Sequence, residues 1–141
     1  MADLTRILAV DYGSRRVGLA VSDPLRMFAR PREALANEGD DAVVRAIAAL
    51  VRAECVGEVV LGLPLGREGQ DTAQTSLIRA FGELLAAALP VPVRLHDESF
   101  TSADAEKLLR ERGLNVRQSR GLVDSTAAAL LLEEYLRMNN P

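Results

Sequence analysis

The sequence predicts an α/β fold in which a mixed sheet carries helices on both faces. Three observations predict it. Short apolar runs read as buried strands; helical periodicity begins only near residue 40; and strands then alternate with helices. Residues 6–12 and 17–22 are apolar runs joined by the short Gly13-Ser14-Arg15-Arg16 link, which predicts a hairpin. A weaker third strand falls between Met27 and Leu35, interrupted by Pro31.

The helical part begins with Val43, Ile47, Leu50 and Val51, which share one face of a helix over 40–54. Val59 to Leu63 is a short apolar run closed by Gly62 and Pro64, and predicts a strand. Leu77, Phe81, Leu84 and Leu85 mark a second helix over 71–89, ended by Pro90 and Pro92. Val91 to Leu95 is the next strand, with His96, Asp97 and Glu98 at its end. Ser102 caps a short helix to Arg112, stopped by Gly113, and a last helix covers 122–137. A meander followed by crossovers gives the mixed sheet, with right-handed crossovers; a plain doubly wound sheet is the alternative. The expectation is a single domain over 1–141.

Composition narrows the function. Hydrophobic residues are 48% and charged residues 26%, an ordinary globular balance. No apolar stretch is long enough to span a membrane. The opening Met-Ala-Asp-Leu-Thr-Arg lacks the apolar core of a signal peptide, so the expectation is a cytoplasmic protein. Cys55 is the only cysteine, which excludes a disulfide framework and a cysteine-based zinc cluster; it is expected to pack near a helix end. The formal net charge of -3 argues against a protein that coats nucleic acid, but not against an enzyme that gathers carboxylates around metal. Few aromatics leave poor stacking platforms for single-stranded bases.

Three acidic positions stand out. Asp11 ends the first strand, and Gly13 and Gly18 let the backbone turn tightly behind it. Asp97 and Glu98 close a later strand that, if parallel, opens on the same edge, where open α/β sheets place ligands. Two adjoining acids raise the cost of ionising both, a cost a cation would remove. Asp124 heads the stripe of Ala127, Ala128, Leu131 and Tyr135 on the last helix, and an acid heading a buried stripe needs a partner. Each position also fits a plain structural role: a hairpin turn, a solvated loop and a helix cap, respectively. Taken together, oxygen-only ligands select hard cations such as Mg²⁺ or Mn²⁺, which support phosphodiester hydrolysis.

Four segments in this order and spacing resemble the YqgF family of the RNase H-like superfamily. They are LAVDYGSRRVGLAVSD at 8–23, VLGLPLG at 60–66, DESFTS at 97–102 and VDSTAAALLL at 123–132. That family is described both as Holliday-junction resolvases and as pre-16S rRNA nucleases. The resemblance implies a five-stranded sheet of order 3-2-1-4-5 with strand 2 antiparallel. It also implies metal ligands at Asp11, Glu98 and Asp124, which in a hydrolytic reading are the catalytic residues, Asp11 bridging the ions. The implied partners are an rRNA precursor, branched DNA or both. Two departures are visible: Ser99 stands where the family carries arginine, and Gly66-Arg67-Glu68 where it carries asparagine.

Nucleic-acid contacts are expected from Arg15 and Arg16 beside Asp11, from Arg67, and from Arg117 and Arg120 in a basic stretch that also includes Arg110 and Arg112. His96 reads as an ordinary strand histidine, and Asp23 lies at the far end of strand 2. Junction resolution would require a symmetric homodimer, since two strands must be cut. Two rival readings use the same fold: a nucleotide-binding module, through the Asp-x-Gly-x-x-x-x-Gly pattern at 11–18, and a non-catalytic RNA-binding module.

Overall fold

The run Ile7-Leu8-Ala9-Val10, buried on both faces, forms the centre of β1 (Arg6–Asp11), and the rest of the sheet is laid out around it. The structure is a computed structural model and describes residues 4–98 and 123–139, without the side chains of Val123 and Asp124. The order of elements is β1, β2 (Arg16–Ser22), β3 (Ala29–Ala36), α1 (Asp40–Ala53), β4 (Val56–Leu63), α2 (Ala73–Ala88), β5 (Val93–Asp97) and a final helix, here α3 (Val123–Asn139). The five strands form one sheet of order β3-β2-β1-β4-β5. β2 is antiparallel to both neighbours, while β1, β4 and β5 are mutually parallel. The implied strand order and the reversed strand 2 are therefore present. The helix expected over 102–112 lies outside the described residues.

Strand alternation divides the core in two. Leu8, Val10, Val59 and Leu61 face α1 and α2, with Val43, Ile47, Ile78, Phe81 and Leu85 packed against them. Ile7, Ala9, Ala20 and Val60 face α3, which contributes Ala128, Ala129, Leu131, Leu132, Tyr135 and Leu136. Small residues meet on this second face, so α3 lies close to the sheet.

The face of α2 that points inward differs from the one its leucines predict. Leu77 and Leu84 are exposed, at 67% and 47%, and the buried face is Thr75, Ile78, Phe81, Gly82 and Leu85. Thr75 sits inside because its hydroxyl donates to the Pro64 carbonyl and completes a capping box with Thr72. Gly82 sits inside because its absent side chain admits Leu61, whose Cδ2 lies 3.1 Å from where a Cβ would stand. Cys55 is also corrected: it follows α1 but is exposed, at a left-handed φ of 55°. Pro31 lies within β3, tolerated because β3 is an edge strand.

Candidate active site

β1, β4 and β5 run parallel, so their carboxyl ends share one rim. Asp11 is the last residue of β1, and its side chain follows Ile7 and Ala9 onto the α3 face. The chain beyond it is pinned. The Tyr12 hydroxyl donates to Asp40 Oδ1 at 2.6 Å, and the Tyr12 ring packs on Phe81 with centroids 4.5 Å apart. Asn37 closes the hairpin loop from the other side, its Nδ2 donating to the Gly13 carbonyl at 2.8 Å and its backbone N–H to the Arg15 carbonyl at 2.8 Å. The chain that follows Asp11 is thus tied down on both sides.

Glu98 follows β5 directly, and its N–H donates to the Leu63 carbonyl at 3.0 Å, extending the β4–β5 pairing by one step. Its side chain folds back over Gly62 of β4 toward Asp11, close enough for the two carboxyl groups to act on each other. Burial first, and then the adjacent Asp11 carboxylate, push the Glu98 carboxyl up to about 9. Glu98 therefore keeps its proton through the neutral range when no cation is bound. Glu98 Oε1 is buried and has no hydrogen-bond partner among the described residues. Asp97, one residue earlier, is exposed and belongs to the opposite face, so only one of the adjoining acids enters the site.

Asp124 lies in the first turn of α3, and its side chain is outside the described residues. The helix start is nonetheless anchored. A register shift between Val17 and Leu19 interrupts the β2–β3 ladder, and the Leu19 N–H donates instead to Ser125 Oγ at 3.3 Å. Leu19 adjoins Gly18, the register partner of Asp11. The first turn of α3 therefore lies beside the rim that carries Asp11. The stripe predicted to follow Asp124 is buried at Ala127, Ala128, Leu131 and Tyr135.

Of the predicted arginines, Arg15, Arg16 and Arg67 are exposed at this same rim: the first two in the β1–β2 hairpin, the third after β4. The Arg67 loop is closed by Gly66 N–H to Gln70 O at 2.7 Å and Gly69 N–H to Gly66 O at 2.9 Å. Arg117 and Arg120 lie outside the described residues. His96 packs edge-on against Tyr135 at 5.7 Å, with Nε2 3.8 Å from Glu134, as an ordinary strand histidine would. Asp23 is at the opposite rim, where its carboxylate accepts from the N–H groups of Leu25, Met27 and Phe28; the Phe28 bond foremost holds it below the usual carboxylate range.

Gly62 is a site residue that the pattern of acids does not reveal. It interrupts the apolar run Leu61-Gly62-Leu63, and a glycine inside a buried strand signals close approach of another group. Here that group is the Glu98 carboxylate.

Residues 5–138 match the model of the RuvX family, described as Holliday junction resolvase. A protein of Anaeromyxobacter sp. strain Fw109-5, named "Putative pre-16S rRNA nuclease", is 42% identical over 93% of this chain and 96% of its own length. One of the same name from Maridesulfovibrio salexigens is 38% identical over 93% of this chain and 97% of its own. Among solved structures, the Fowlpox virus resolvase in complex with Holliday junction DNA superposes with a TM-score of 0.64 at 13% identity, covering 97% of this chain and all of the other. RuvC of T. thermophilus with its junction substrate gives 0.56 at 14%, covering 96% and 97%. These superpositions show the RNase H-like fold. Sequence and fold agree: the chain is a nuclease and belongs to the RuvX family.

Proposed function

We propose that the chain hydrolyses phosphodiester bonds in structured RNA, with the 5′ region of a 16S rRNA precursor as its substrate, using divalent cations held by Asp11, Glu98 and Asp124. The observation that carries this reading is the Asp11–Glu98 pair: two carboxylates side by side, with Glu98 Oε1 buried and lacking a partner among the described residues. Such a pair is costly without a cation and suits a hard one, because every donor is oxygen. Mg²⁺ or Mn²⁺, when bound, would neutralise the acids and supply the Lewis acidity and water activation that phosphodiester cleavage needs.

The chain's own groups have separate tasks. Asp11, between the end of β1 and the Tyr12 anchor, would present its carboxylate to the cation from a backbone tied down by that anchor. On binding a cation Glu98 would release its proton to solvent and serve as an anionic oxygen donor. Arg15, Arg16 and Arg67 offset the repulsion between the acids and an incoming backbone and hold phosphates at the rim. An rRNA precursor would place the protein in the cytoplasm.

A second reading is favoured by the family description as Holliday junction resolvase: the same site cutting branched DNA, which requires a two-fold dimer for paired incisions.

The test compares a precursor 16S rRNA fragment, unstructured RNA and a four-way DNA junction in Mg²⁺ and Mn²⁺. The precursor is expected to be cut, and Asp11→Asn is expected to abolish cleavage with little change in melting temperature. Cleavage retained by Asp11→Asn would reject the site. Junction cleavage with an intact precursor would transfer the assignment to the second reading.

A further inference from the structure

We infer that Gly62 is a positioning residue for the proposed nuclease site: its missing side chain is the opening through which Glu98 reaches Asp11. The inference rests on the site reading above and adds a requirement to it.

The geometry is a spanning problem. Asp11 and Glu98 belong to β1 and to the end of β5, and β4 runs between them. Neighbouring strands lie about 4.8 Å apart, so the outer two backbones are separated by about 9.6 Å. Val10 pairs with Leu61, which puts Asp11 level with Gly62. Gly62 in turn pairs with His96, two residues before Glu98. Val10 and Leu61 share the α1/α2 face, so Asp11 and position 62 both face α3. A side chain at 62 would stand between the two acids.

The contacts agree. A Cβ built on Gly62 would lie 2.5 Å from Glu98 Oε2, 2.9 Å from Glu98 Cδ and 3.1 Å from Leu131 Cδ2. The two closest are atoms at the tip of a flexible side chain. The fold can therefore accept a methyl by turning Glu98 aside, and what is lost is the meeting of the two carboxylates. Leu131, buried on α3, borders the same gap above Gly62.

The test is a calorimetric Mn²⁺ titration of the full chain as wild type, Gly62→Ala, Glu98→Ala and the double variant. Gly62→Ala is expected to weaken Mn²⁺ binding by about ten- to a hundred-fold, as loss of a ligand-orienting group does. Added to Glu98→Ala, it should change nothing further, because the carboxylate it displaces is gone. Wild-type Mn²⁺ affinity in Gly62→Ala would overturn the inference, as would an equal further weakening in the Glu98→Ala background. Unchanged binding in Glu98→Ala alone would overturn the site itself, and the inference with it. If Gly62→Ala does not fold, recovery of folding in the double variant supports the inference, and failure of both rejects it.

Discussion

At the residue scale the decisive feature is the energetic state of Glu98. Its carboxyl is raised to about 9 in the folded protein and takes the ordinary carboxylate value when unfolded. Between those values the folded chain holds a proton that the unfolded chain has released, so metal-free stability falls as pH rises across that window. Glu98→Gln removes the ionisation and its cost. In chelator, the variant is expected to melt above the wild type at pH 8, with the difference shrinking toward pH 5. Each kcal/mol relieved should add about 2–4 °C in a domain of this size. A wild type that melts higher than Glu98→Gln at pH 8 in chelator would contradict the buried repulsion. Asp11 was legible in the sequence because a charge that ends an unbroken apolar run must sit where the buried strand meets the sheet's edge. The partition of Asp97 from Glu98 was not legible from the residues themselves. It depends on where β5 stops alternating, and the family resemblance supplied the choice.

At the scale of elements, α3 brings the third acid's backbone to the rim, and small residues permit its approach. Ala128 is fully buried in a cluster with Ala9 and Ala20 of the sheet. Ala128→Leu would overfill that seam at a cost of about 1–3 kcal/mol. It should also lift the start of α3 from β2, lowering cleavage by more than the loss of folded protein accounts for. Circular dichroism melts beside cleavage rates at a temperature where the variant is fully folded separate the two effects; wild-type cleavage there would show that α3 does not position the site. The α3 stripe was readable from the sequence because its buried residues are apolar and regularly spaced. The α2 face was not, because Thr75 and Gly82 occupy it for reasons invisible to periodicity: a hydroxyl bond to Pro64 and a close approach to Leu61. Gly62 belongs with them, since its importance lies in what crosses the space above it.

At the scale of the whole molecule, a chain with net charge -3 must bind a polyanion through local rather than overall charge. Arg15, Arg16 and Arg67 share the rim with the acids, so phosphate contacts should concentrate there. Replacing Arg15 and Arg16 by alanine is expected to weaken binding of the precursor RNA and to reduce the salt dependence by about one ion per lost contact. An unchanged salt slope, measured by fluorescence anisotropy, would place the RNA elsewhere. The opposite rim, where Glu58 receives Arg26, Arg94 and the Tyr135 hydroxyl, has these charges paired within the fold and offers a control surface for the same experiment. The most direct test of the central claim is crystallographic: crystals of the full chain soaked in Mn²⁺, with diffraction recorded at the manganese absorption edge. An anomalous peak touching both the Asp11 and Glu98 carboxylates is expected. Peaks confined to other surfaces at saturating Mn²⁺ would contradict a common metal site.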